Sequence, residues 1–260
     1  MPPAEPREPG ARADADPHDA LALPAPRPPR PLTAPPHRGR VLVLAPHPDD
    51  EVIGPGGTLL LHVAAGDPVF ALFLTSGVHG DNRGRYTEAD YIALRRREAA
   101  AAAAVLGLSG TEFWDYPDNM VVTRGDLAAV TARLRDLVVR LAPDVIYAPH
   151  PGELHGDHHF TALAAQAAVG ELARAVAAGA APAGLARPPA LLGYEVWSPL
   201  EPDWVVDTAA VHQRKLDAVR CYKSQLERND IPRAVDGLNR FRAVLLPPGG
   251  TCAEAFRDLS

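Results

Sequence analysis

Two short stretches hold most of the side chains that could do chemistry. The first is Pro46-His47-Pro48-Asp49-Asp50-Glu51, which packs one imidazole and three carboxylates into five consecutive positions. Carboxylates this close repel one another unless positive charge lies among them, and a divalent cation supplies it with the fewest groups. His47 and Asp50 can both turn inward as ligands, which leaves Asp49 between them for proton transfer. The second stretch is His150-Pro151-Gly152-Glu153-Leu154-His155-Gly156-Asp157-His158-His159, with four of the chain's ten histidines in ten positions. Two histidines and one aspartate drawn from the pair would form a three-ligand site with a coordination position left open, the arrangement of catalytic zinc. The plainer reading of the first stretch is a solvated acidic turn whose Asp caps the next helix. It leaves the second stretch unexplained.

The elements around these stretches would bring them together. Residues 41–44 are an unbroken apolar run, as expected of a central parallel strand covered on both faces, and Pro46 and Pro48 end it. Residues 144–148 form a similar run ahead of the His-rich stretch. In open α/β sheets ligands bind at the carboxyl ends of strands, so two clusters at strand ends can meet there. Further strands are expected at 69–75, 111–119, 191–197 and 204–207, and helices at 58–65, 91–106, 126–141, 160–178 and 210–222. The Gly-rich loop at 54–57 has neither dinucleotide nor P-loop spacing, which favours close backbone packing over a phosphate cradle. The expected fold is α/β: a single-domain, Rossmann-like three-layer sandwich with a mostly parallel sheet. Residues 1–38, with twelve of the chain's 28 prolines, read as a disordered Pro/Arg/Ala-rich leader, and 39–260 as the domain.

An apolar strand followed by Pro-His-Pro-Asp-Asp-Glu, with His155-Gly156-Asp157-His158 far downstream after another strand, resembles the LmbE/PIG-L family of zinc-dependent de-N-acetylases. The resemblance runs over about residues 40–168. It implies Zn²⁺, with Fe²⁺ or Co²⁺ also suited, at His47, Asp50 and His158. It implies Asp49 as general base, His155 as the group that stabilises the oxyanion, and Asp157 as its orienting partner or a loop cap. The implied substrate is a small N-acetylated amino sugar or glycoside. Arg95, with Glu98 in an Arg-x-x-Glu pattern, and Asp115 in Asp115-Tyr116-Pro117-Asp118 are the substrate-binding candidates, with Asp118 an alternative to Asp115. An exposed ion pair is the competing account of Arg95. Glu153 departs from the pattern: a related subgroup carries Tyr there. Residues 152–154 are read as an insertion that reshapes substrate choice.

Composition narrows the classes. A net charge of −6 and a pI near 5.9 argue against a general nucleic-acid or anionic-membrane surface. The two cysteines, Cys221 and Cys252, suggest no disulfide framework, and neither has a metal-like spacing in sequence. No apolar run is long enough to span a membrane and no signal-peptide core is visible, so a cytoplasmic protein is expected, compatible with a homo-oligomer. Two other functions compete. Asp157-His158-His159 has the residue types of a metal phosphoesterase, but too few further carboxylates are evident for a two-metal site. A non-catalytic nucleotide-binding module would show a phosphate fingerprint and would not need Asp49 beside a metal.

Overall fold

The apolar runs pair into one sheet. The computed structural model describes residues 28–81, 83–119, 124–227 and 229–260. In chain order its elements are β1 (Arg30–Leu32), β2 (Val41–Ala45), α1 (Asp50–Ile53), α2 (Gly56–Ala64), β3 (Val69–Thr75), α3 (Glu88–Leu106), β4 (Gly110–Tyr116) and α4 (Arg124–Leu141). Then come β5 (Val145–Pro149), α5 (Gly156–Ala177), β6 (Ala190–Tyr194), β7 (Trp204–Asp207), α6 (His212–Val219), α7 (Lys223–Leu226), α8 (Ile231–Arg242) and β8 (Ala253–Asp258). The strand order is β1-β7-β8-β6-β5-β2-β3-β4. Every pairing is parallel except those of β8, which runs antiparallel to β6 and β7.

Strand periodicity divides the core into two layers. Val41, Val43 and Ala45 of β2 point to one face, where they meet Leu59 of α2, Ala99 and Leu106 of α3 and Leu216 of α6. Leu42 and Leu44 point to the other and pack with Leu134 and Leu137 of α4 and Ala164 and Ala165 of α5. Helices therefore cover both faces, which gives the expected Rossmann-like sandwich. No helix among the described residues is long and apolar enough to cross a membrane.

Three features differ from the sequence reading. The sheet takes in Arg30–Leu32, within the stretch assigned to the leader; residues 1–27 lie outside the described residues. Pro31 is tolerated because β1 is an edge strand with β7 as its one neighbour. The last strand and α8 also went unread, although Asp230 and Pro232 signal the start of α8: the Asp230 carboxylate accepts the Arg233 N–H. Finally, α5 begins at Gly156, several residues before the expected start, because His155 caps it through its ring: Nδ1 accepts the Asp157 N–H at 3.2 Å. His158 thereby enters the first helical turn.

Candidate metal centre and active site

The loop after β2 is held from several sides. The Pro46 carbonyl accepts both the N–H and the hydroxyl of Thr75 from β3, at 2.8 and 2.9 Å. Asp49 sits at φ 136°, a conformation costly for a residue with a side chain and typical of functional loops. Its N–H is held by Glu51 Oε2 at 3.1 Å, and Glu51 Oε1 accepts the Tyr222 hydroxyl. The Asp49 side chain does not cap α1, so the solvated-turn reading fails. Gly54 closes the loop because a side chain there would collide with the Tyr194 ring, 2.3 Å from where its Cβ would lie.

The two sequence stretches converge where β2 and β5 end. Asp50 Oδ2 lies 3.2 Å from His47 Nδ1 and 3.2 Å from His158 Nε2. The His47, His155 and His158 rings each present a nitrogen within 4.8 Å of the others. Of these rings, His155 has Nδ1 occupied by a backbone N–H, whereas Asp50 touches both other histidines. Asp50 is the carboxylate that faces both His47 and His158. His158 is fully buried, and neither ring nitrogen makes an aligned hydrogen bond despite the nearby carboxylates. Two imidazoles facing one carboxylate, with an orphaned buried ring, fit a divalent cation of the zinc class.

Each histidine has a carboxylate behind it. His47 Nε2 is 3.0 Å from Asp157 Oδ2, and Asp157 also accepts the Asn119 N–H at 2.8 Å. Asp157 stands 3.8 Å from His155 Nδ1, beyond hydrogen-bonding range. Asp157 thus orients His47, not His155 as expected, because the His155 Nδ1 is spent on the helix cap. His158 Nδ1 faces Glu153 Oε2 at 3.5 Å. Glu153 is buried and accepts the backbone N–H groups of Val196, Trp197 and Ser198 at 2.7–3.2 Å. Burial pushes the Glu153 carboxyl up, but His158 and these donors outweigh it and hold the group below the usual range. Carboxylates placed this way fix the tautomer and aim of a ligating imidazole.

The charges inside the cluster follow from the same contacts. Burial pulls His47 down, but hydrogen bonds to Asp157 and Asp50 override it and raise the ring to about 10. His158 is likewise lowered by burial and then raised to about 9 by Asp50 and Glu153. Asp50 is driven well below the ordinary carboxylate range: the two histidines overcome its burial. Asp49 moves the other way. Burial lifts it to about 7, although Arg95 beside it pulls down.

A cleft of about 280 Å³ opens over the cluster, its wall completed by His79, Asp118, Asn119, His155, Trp197 and Gln225. Asp118 is tied into the wall by accepting the Gly77 and His79 N–H groups, each at 2.8 Å. Trp197 is 47 % exposed at the rim. Tyr194 is buried and donates to the Leu44 carbonyl at 2.8 Å, so it serves the core.

The chain is similar in sequence and fold to known proteins. Residues 42–169 match the family described as GlcNAc-PI de-N-acetylase, PIG-L. The N,N'-diacetylchitobiose deacetylase of Pyrococcus horikoshii superposes with a TM-score of 0.70 at 27 % identity, covering 84 % of this chain and 83 % of that one. Over residues 42–169 the chain is similar to the PIG-L family. A diacetylchitobiose deacetylase of Thermococcus kodakarensis is 29 % identical over 192 residues, 72 % of this chain and 70 % of that protein. A 4-oxalmesaconate hydratase of Pseudomonas putida is also 29 % identical, over 195 residues, 71 % of this chain and 73 % of that protein.

Two substrate candidates change place. Asp115 does not reach the cleft; it pairs with Arg96 on the surface. Asp118, three residues on, lines it instead, because the chain turns at Asp115 with φ 53° and carries the later carboxylate inward. Arg95 lines the cleft but is 2 % exposed, and its guanidinium donates to the Pro48 carbonyl and to Asp49 Oδ2 at 3.1 Å. It braces Asp49 rather than standing free for substrate, and it is not the exposed pair that the sequence also allowed. The sequence reading does not single out Asn119, whose position depends on the exit of β4; Gln225 enters the cleft from α7.

Proposed function

We propose that this protein is a metal-dependent hydrolase that removes the N-acetyl group from a small amino sugar or glycoside, with Zn²⁺ held by His47, Asp50 and His158. One observation carries the reading: Asp49, a half-buried carboxyl raised to about 7, lies beside that ligand set and opens onto the cleft. When bound, Zn²⁺ would polarise the amide carbonyl and acidify a water molecule. Asp49 takes the proton of the attacking water and returns it to the leaving amine, work suited to a group that titrates near neutrality. His155 has Nδ1 occupied as an acceptor, which places its proton on Nε2. Burial first, then the neighbouring His47 and His158, lower its basicity and keep it neutral. A neutral N–H donor at the cleft stabilises the oxyanion of the tetrahedral intermediate.

The hydratase relative makes the choice of reaction class a matter of the cleft. A carboxylate substrate would need free cations, yet among the described residues the one Lys or Arg lining the cleft is Arg95, already engaged by Asp49. The wall offers amides, imidazoles, a carboxylate and an indole, which suit an uncharged polyol. The test is amine release from a panel of N-acetylglucosaminides by zinc-loaded enzyme, with Asp49→Asn as control. Release that falls by at least about 100-fold in the variant while zinc stays bound supports the reading. Zinc-loaded protein that releases no amine from any member, but hydrates unsaturated oxo-acids, overturns it.

A further inference from the structure

A second donor set lies apart from the cleft. His212 opens α6, Asp236 lies within α8, and Cys252 immediately precedes β8. One ligand atom from each lies within 4.8 Å of the other two. His212 is 7 % exposed and Cys252 3 %. His212 Nε2 is 2.8 Å from Asp236 Oδ1, while Nδ1 of the same ring is buried with no hydrogen-bond partner. Buried polar atoms left unpaired are rare and call for an explanation. Asp236 is itself oriented from outside, with Oδ2 accepting Arg240 Nε at 2.8 Å.

We infer that His212, Asp236 and Cys252 form a second, structural metal site for a borderline-soft divalent ion, Zn²⁺ or Co²⁺. Imidazole, carboxylate and thiolate are the donors such ions take. The thiolate and the carboxylate together supply enough negative charge to hold a dication despite the Arg240 guanidinium nearby. At 3 % exposure the thiol is too enclosed to meet a substrate, which separates this set from a nucleophilic Cys-His-Asp triad. The three donors come from three elements, so no spacing in the sequence announces them. An ion there ties α6 and α8 to the start of β8. Those elements back the cleft: Lys215 of α6 reaches the Gly54 carbonyl at 2.9 Å, and Tyr222, just after α6, holds Glu51.

Sulfur makes the site readable independently of the first, whose ligands are nitrogen and oxygen alone. Full-length, metal-stripped Asp50→Asn protein is titrated with Co²⁺ alone. The expected result is a near-ultraviolet thiolate-to-cobalt charge-transfer band that saturates at one ion per chain. It is abolished by Cys252→Ser, weakened by His212→Gln and untouched by Cys221→Ser. Elemental analysis of zinc-loaded chains then gives one ion fewer in Cys252→Ser than in the parent. Circular dichroism confirms each fold, and Asp236→Asn, a change at a half-buried position, stands in for any variant that does not fold. A folded protein without the band, at Co²⁺ concentrations that fill the cleft site of the parent, overturns the inference. So does an unchanged metal content in Cys252→Ser.

Discussion

Glu153→Gln separates two roles that the structure gives to one carboxylate. Glu153 accepts three backbone N–H groups from residues 196–198 and also faces His158 Nδ1. A glutamine can keep its oxygen in the Oε1 position, where Val196, Trp197 and Ser198 converge. Its amide NH₂ then occupies the Oε2 position, 3.5 Å from His158 Nδ1. An NH₂ donor makes Nδ1 an acceptor and moves the ring proton to Nε2, the nitrogen that faces Asp50 and must carry a free lone pair to bind a metal. Loss of such an orienting partner costs about 10–100-fold in metal affinity, or about 1.4–2.7 kcal/mol. Exchanging charge-assisted for neutral hydrogen bonds along the loop costs a further ~1–3 kcal/mol of stability. The assay is Zn²⁺ competition against a chromophoric chelator at fixed pH, with Tm recorded on the metal-free protein. Both affinity and Tm should fall. If Tm falls and Zn²⁺ affinity stays within twofold of the parent (about 0.4 kcal/mol), Glu153 is a loop staple only and the tautomer argument is wrong.

Chelation should abolish activity and lower Tm, because the folded state binds the ion and the unfolded chain does not; a 100-fold excess over Kd is worth about 2.7 kcal/mol, and zinc or cobalt should restore both. Lys215→Met should destabilise the fold by roughly 3–5 kcal/mol, since Lys215 is buried with Nζ 2.6 Å from Glu254 Oε1; chemical denaturation measures it, and the added Glu254→Gln change should recover part of the loss. His62 is fully buried between Asp67 and Tyr147, and burial lowers its pKa below 6.5 although Asp67 pulls it up. The unfolded chain therefore binds the proton more readily, so the His62 contribution is full above that value and drains away as pH falls. The Tm gap between the parent and His62→Gln, both zinc-loaded, should narrow from pH 7 to pH 5; a constant gap would show that His62 does not titrate on unfolding.

What the sequence disclosed follows the range of the forces involved. Residues 41–44 and 145–148 announce central strands because burial on both faces demands unbroken apolar runs, and the strand-end position of His47, Asp49 and Asp50 follows from the first of them. The edge strand Arg30–Leu32 was lost among prolines because one neighbour is enough to hold it, and so little pairing leaves no periodic trace. Asp157 and Glu153 were misjudged for a sharper reason. Sequence proximity suggests that Asp157 serves His155, two residues away. In the helix that His155 caps, its Nδ1 is already spent, and the Asp157 carboxylate reaches His47 from 110 positions along the chain. Glu153 looked like a substitution in the catalytic motif until the backbone of residues 196–198, placed by β6, turned three N–H groups on it. The proposed ligands His47, Asp50 and His158 could be singled out because each sits in a local motif. Their supporting carboxylates were not, because the partner of each is set by how α5 and β6 dock on the sheet. The His212, Asp236 and Cys252 cluster is the extreme case, with donors from α6, α8 and the residue before β8 and no motif around any of them.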